Sequence, residues 1–364
     1  MILISSFYWD PKPEIFTIPG FNLPILWYGL LFAFGFLIGF PIFVGILERF
    51  FLQRPEFETR EIIGQWTYPQ FSEAAKKGAG PLALALNLWL VSDEPAEMKL
   101  SKKAARFASY SLHPQQALKR LKLELLVPQA ILSLKKQALF LADRLTVYMV
   151  IATVIGARLG HYFFYENPSE YLLHPWEILQ IWKGGLASHG AAIAIVIALG
   201  IFTFRYKAVA RKLTWLHLLD FVCIPTALAG ACIRVGNFFN QEILGTETNL
   251  PWAVVFGHPA DHSLPSPRHP VQIYEALFYA AVFVLLWRLS FRSKYLMSQG
   301  KLIGIFLILV FGFRLIVETW KEEQSRLLSA DLTMGQILSI PAVLIGIFLC
   351  WKSSKNIGRT NGDS

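Results

Sequence analysis

Arg234, Asn237, Asn240 and Glu242 stand within nine positions, directly after the apolar run 221–233, with Gly236 and Gly245 among them. On a helix Arg234 and Asn237 share a face, and Asn240 and Glu242 extend it toward the end of the apolar run. A charged residue at mid-depth of a membrane helix costs about 2.5–3.5 kcal/mol on insertion scales, so it reads by default as functional. The two glycines permit a turn or a close backbone approach. This combination suits the binding of an anionic headgroup at a bilayer surface.

Other polar groups stand in apolar context. His189 closes the segment 183–190, between Ser188 and Gly190, where a Gly pair at 184 and 185 marks a tight entry to a helix. Its expected depth equals that of Arg234, which favours a functional role over a structural one. Arg314 and Glu318 are spaced i, i+4 and can pair on one helix face; a purely structural ion pair competes with a catalytic one. Arg158, in Gly156-Ala157-Arg158-Leu159-Gly160, needs a partner, and Asp220 or a lipid phosphate would serve. Glu275, near the start of a helix that Pro270 opens, is available to neutralise one of the arginines. Tyr28, in Leu26-Trp27-Tyr28-Gly29, reads on its own as an interfacial aromatic.

These residues need a membrane frame. Hydrophobic residues make up 54% of the 364 and charged ones 16%, with a mean hydropathy of +0.44. Soluble domains carry about 25% charged residues. The expectation is therefore an all-α integral membrane protein with seven transmembrane helices, near 26–48, 140–165, 187–204, 216–235, 271–291, 302–320 and 334–351. A small head on the outer face (236–270), an interfacial arm (166–186) and a long cytoplasmic insert complete it. The domain division predicted is 1–49, the insert 50–139, a six-helix catalytic core 140–351, and a tail 352–364. The insert carries 13 Lys and Arg against 8 Asp and Glu over 54–136, with amphipathic helical pattern; inner-leaflet contact and a solvated, self-packed insert fit equally.

Lys and Arg set the orientation. The connections 204–215 and 288–301 and the tail hold Arg205, Lys207, Arg211, Lys212, Arg288, Arg292, Lys294, Lys301, Lys352, Lys355 and Arg359. The opposite loops hold Lys183, Arg268, Lys321 and Arg326. This places the N-terminus outside, the C-terminus in the cytoplasm and 234–270 toward the outer face. The first residues lack the basic region of a secretory signal peptide. The formal charge of +9 reads as topology, and no basic run interleaved with aromatics points to nucleic acid. Cys223, Cys232 and Cys350 lie in apolar segments outside any paired motif and read as buried hydrophobes. No metal site and no cofactor are expected.

Taken together, the motifs resemble those of the bacterial prolipoprotein diacylglyceryl transferases, over the first 50 residues and about 140–351. The resemblance rests on residues 26–29, the Gly-x-Arg-Leu-Gly run 156–160, the Gly-Gly-Leu-x-x-His-Gly turn 184–190 and the signature 234–245. It continues through the Arg-His-Pro helix start 268–275, the pair Arg314 and Glu318, and 334–341 of the last helix. Ile233 and Ala191 stand where the family usually has Gly, and the insert has no counterpart in typical members.

The resemblance implies transfer of diacylglyceryl from phosphatidylglycerol to the lipobox cysteine of a preprolipoprotein, in the bacterial inner membrane. By carry-over Arg234, Asn237 and Asn240 would bind the lipid phosphate. Arg314, oriented by Glu318, would stabilise the departing phosphate or lower the thiol pKa. His189 would be the base or a lipid contact, and Tyr28, Arg158, Glu242 and Gly245 would shape the site. A lipid translocase and a non-enzymatic lipid-binding scaffold are the competing readings. Polar residues concentrated at one membrane face argue against the first. Joint retention of Arg234, Arg314 and His189 argues against the second.

Overall fold

The computed structural model describes residues 7–20, 23–53, 61–62, 130–131, 134–165, 187–206, 213–322 and 333–360. Most of the insert, the arm 166–186 with Lys183 and the 184–185 glycines, and Arg326 fall outside the described residues. In chain order the elements are β1 (Phe7–Trp9), β2 (Glu14–Ile18), β3 (Leu23–Leu26), α1 (Trp27–Leu52), β4 (Glu61–Ile62), β5 (Ala130–Ile131), α2 (Leu134–Tyr165), α3 (Ser188–Arg205) and α4 (Trp215–Phe239). There follow β6 (Val254–Phe256), β7 (Pro267–Arg268), α5 (Val271–Leu289), the single turn α6 (Ser293–Leu296), α7 (Lys301–Val317), a 3-10 turn (Glu318–Trp320) and α8 (Met334–Thr360).

Long apolar runs make the helices. In a bilayer the backbone must satisfy itself, and a helix does so within one segment. Among the described residues six helices are long and apolar enough to cross a membrane: Trp27–Phe51, Ala138–Phe163, Trp215–Phe239, Val271–Leu289, Lys301–Trp320 and Gly335–Lys355. The segment 187–204, expected as the third span, is helical, but its apolar stretch, His189–Arg205, belongs with the shorter helices. Among the described residues three small sheets accompany this helical frame.

The chain divides into two compact units, Met1–Ile46 with Asp220–Ser364, and Leu47–Leu219. In the second unit α2 and α3 cross at glycine. A Cβ on Gly160 would lie 2.6 Å from the Gly190 Cα, and one on Gly156 would lie 2.6 Å from the Gly190 carbonyl oxygen. Small residues at helix interfaces let backbones approach in this way. Ala191, where the family usually has Gly, lies at the same crossing and is buried. Gly190→Leu is therefore expected to force the helices apart and cost about 1–3 kcal/mol. Thermal unfolding in detergent checks this against Gly45→Ala, where no atom lies within 4 Å of the added methyl.

In the first unit Asp220 of α4 is fully buried. Its two carboxylate oxygens accept the backbone N–H groups of Gly300 (2.6 Å) and Ile303 (2.7 Å) at the start of α7. The first N–H groups of a helix have no partner within it, and a carboxylate there also meets the positive end of the helix dipole. Asp220, considered from sequence as a partner for Arg158, is thus the cap of α7.

The segment 236–270, expected as an outer head, forms a sheet together with the N-terminal strand. β1 pairs in parallel with β6 (Phe7 with Val254, Trp9 with Phe256), and β6 pairs antiparallel with β7. Phe238, Leu244, Val254 and Phe256 form its core, covered by Trp9 and Ile273. Trp9 Nε1 donates to the carbonyl of Phe238 (3.0 Å), and Trp27 stacks on Phe239 at 4.9 Å. The end of α4 is therefore clamped by the N-terminal segment.

Candidate active site

α4 ends in the cluster that the sequence singled out. Arg234 Nη1 donates to Asn237 Oδ1 (3.2 Å). Asn237 Nδ2 and Asn240 Nδ2 both donate to Glu242 Oε1, at 2.7 and 3.2 Å. The chain reverses here through two left-handed residues, Gln241 (φ 51°) and Ile243 (φ 57°). A β-branched residue in that region is strained, and such strain persists only where the surroundings impose it. Three contacts do so. Buried Gln272 donates Nε2 to the Glu242 carbonyl (2.8 Å), Gln241 Nε2 donates to Asp10 Oδ1 (3.0 Å), and the His258 N–H donates to Gln241 Oε1 (2.8 Å). Hydrogen bonds from His258 and Gln241 hold the Asp10 carboxyl below its usual range.

Tyr28 packs at the same place. A Cβ on Gly236 would come within 2.8 Å of the Tyr28 ring, so the glycine admits the ring. Gly245 acts through its backbone: it bridges to Lys321, and its carbonyl accepts from Arg268 Nη1 at 3.2 Å. A side chain there would strike His269. Burial keeps the His269 imidazole below its ordinary pKa.

Behind Arg234 runs a chain of alternating charge. Arg234 Nε lies 3.1 Å from Glu275 Oε2. Glu275 Oε1 accepts Lys321 Nζ (3.0 Å) and the Tyr279 hydroxyl (3.3 Å). Lys321 Nζ also donates to Glu318 Oε2 (3.1 Å), and Arg314 Nε lies 4.0 Å from that same oxygen. The Glu318 carboxylate occupies space that Gly335 leaves open, since a Cβ there would meet Oε2 at 2.8 Å. Both arginines face their carboxylates through Nε, the nitrogen nearest the stem. The Arg234 guanidinium, held by Glu275 and Asn237, suits recognition of a phosphate, and Arg314, whose Nε makes no hydrogen bond among the described residues, is the looser of the two.

Tyr28, Arg234, Asn237, Asn240, Glu242, Gly245, Arg314 and Glu318 all belong to the first unit. Arg158 and His189 belong to the second. Arg158 is buried, with its guanidinium 4.8 Å from the centroid of the Tyr162 ring, a cation–π contact. His189 is half-buried in the first turn of α3, beside the Gly190 crossing. Sequence reasoning missed Lys321 and Gln272. For Lys321 the i, i+3 spacing from Glu318 was a usable signal.

The fold and the cluster define a multi-pass helical membrane protein that gathers three cations and their carboxylates where α4, α5 and α7 meet the segment around Gly245. The family described as prolipoprotein diacylglyceryl transferase matches residues 124–352, and the chain belongs to that family. The phosphatidylglycerol–prolipoprotein diacylglyceryl transferase of Protochlamydia amoebophila is 40% identical over 360 residues, covering 96% of this chain and 95% of that protein. That of Tolumonas auensis is 46% identical over 218 residues (60% and 81%), and that of Chlamydia pneumoniae 42% over 221 (60% and 76%). At 96% of this chain, the Protochlamydia match extends across residues 50–139.

Proposed function

We propose that this chain is a transferase that moves the diacylglyceryl group of phosphatidylglycerol to the lipobox cysteine thiol of a preprolipoprotein. The cysteine sulfur bonds to the glyceryl carbon, and the bond from that carbon to the phosphate oxygen breaks. Its electron pair leaves with glycerol 1-phosphate. The observation that carries the reading, beside family membership, is the placement of Arg234 and Arg314 at opposite ends of one ion chain. Negative charge grows on the phosphate as the bond breaks, and preorganised guanidinium donors in a water-poor site stabilise it strongly. Asn237 and Asn240 assist Arg234, Glu318 orients Arg314, and Tyr28, Glu242 and Gly245 shape the pocket.

His189 and Arg158 enter the proposal through their motifs. His189 is the acceptor of the thiol proton or a lipid contact, and Arg158 helps shape the site. A free thiol has a pKa near 8.5, so a base or positive field must help it ionise. The proposal includes seven membrane crossings, with α3 as the third, the 236–270 segment as an outer head and 166–186 as an interfacial arm. It also includes residence in the bacterial inner membrane, with the N-terminus outside.

Purified protein in detergent, given phosphatidylglycerol and a lipobox peptide, is expected to release glycerol phosphate and add a diacylglyceryl mass to the peptide. Both signals should vanish with a Cys→Ser peptide. Lipid binding without release would instead support a translocase or a scaffold.

A further inference from the structure

Lys321 sits at the middle of the ion chain, between the carboxylates of Glu275 and Glu318. Its side chain is 8% exposed, against 34% for Arg314 at the end of the chain. Backbone pairing fixes its place. Lys321 bridges to Gly245, the Thr246 N–H donates to the Trp320 carbonyl (2.8 Å), and the Glu322 N–H donates to the Leu244 carbonyl (3.0 Å). The segment that carries Lys321 is thereby tied to the end of the 234–245 signature. An ammonium so enclosed is costly to desolvate, and among the described residues Glu275 and Glu318 hold it.

The count of charges gives it a task. Arg234, Lys321 and Arg314 face Glu275 and Glu318, three cations against two anions along one chain. With Lys321 present, each carboxylate has an inner cation, and the nearest atom of its arginine is Nε, at 3.1 Å for Arg234 and 4.0 Å for Arg314. Without it, the same two carboxylates would face two arginines alone. Each would draw guanidinium donors inward and cancel their charge.

We propose that Lys321 is a positioning residue for the phosphate site. By engaging Glu275 and Glu318 from the inside, it leaves Nη2 of Arg234, whose Nη1 already donates to Asn237, and the outer nitrogens of Arg314 to an anionic headgroup. This inference rests on the transferase reading above. It requires no contact between Lys321 and the lipid.

The test compares Lys321→Met, Lys321→Arg, Glu318→Gln and the double variant Lys321→Met/Glu318→Gln, after thermal unfolding establishes that each is folded. Lys321→Met is expected to lower kcat/KM for phosphatidylglycerol roughly 100-fold, through a raised KM and a lowered kcat together, because the same guanidiniums hold the phosphate and meet its developing charge. Lys321→Arg should stay near wild type, because a guanidinium also bridges two carboxylates. Glu318→Gln should reverse sign with background, lowering activity in the wild type and raising it about tenfold on Lys321→Met, where it frees Arg314. Should Lys321→Met not fold, Lys321→Gln carries the same expectation. An unchanged kcat/KM in the single variant, or a double variant no better than Lys321→Met, overturns the inference. Phosphatidylglycerol binding in nanodiscs separates it from the transferase reading. An inactive wild type that binds the lipid, and loses it on Lys321→Met, sinks the reading but keeps Lys321 as a positioning residue. Equal binding by both sinks the inference.

Discussion

Arg234→Ala is expected to lower kcat/KM for phosphatidylglycerol by about 10²–10³-fold, the range found when one preorganised donor to a developing oxyanion is removed. The substitution takes away the Nε contact to Glu275 and the Nη1 bond to Asn237 together. Glu275 keeps Lys321 and Tyr279, so its buried carboxylate is not stranded and the fold should survive. Arg234→Lys should recover little. A single ammonium can replace the ion pair but not the fork that reaches Glu275, Asn237 and a phosphate at once. Steady-state release of glycerol phosphate, with thermal unfolding run in parallel, checks both variants. Full activity in Arg234→Ala refutes the phosphate-binding role.

The helical frame was legible because a membrane helix announces itself by length and hydropathy, without help from distant residues. The Arg314–Glu318 spacing was legible for the same reason, since i, i+4 is local. What lay hidden depends on contacts far apart in sequence. Glu275 was read as neutralising one of the arginines, and the structure selects Arg234. Asp220 caps a helix whose N-cap, Gly300, lies 80 residues later, a relation no spacing rule encodes. Lys321 was counted only as a loop charge, because the bridge that brings it to Gly245 joins segments 76 positions apart. The sheet that draws Phe7–Trp9 onto Val254–Phe256 was likewise invisible, since three-residue strands carry too little alternation to read.

Glu275→Ala should show the largest loss of stability in the protein. The carboxylate is fully buried, and its removal leaves Arg234, Lys321 and the Tyr279 hydroxyl without their shared acceptor. Breaking one buried pair by deleting a partner costs about 3–5 kcal/mol, because the remaining charge stays desolvated. Here two cations are affected, although Lys321 retains Glu318. Glu275→Gln keeps the shape and an acceptor oxygen while removing the charge, so its cost should be smaller. Its amide nitrogen would nevertheless confront either Arg234 or Lys321, and activity should fall along with lipid binding. Glu318→Ala is the comparison, since Glu318 is less enclosed and Lys321 would still hold Glu275. The expected order of unfolding temperature in detergent is wild type, then Glu318→Ala and Glu275→Gln, then Glu275→Ala. An unfolding temperature for Glu275→Ala equal to the wild type would mean that water reaches these cations freely. The alternating chain would then be a solvated surface feature rather than the buried frame that aims the two arginines.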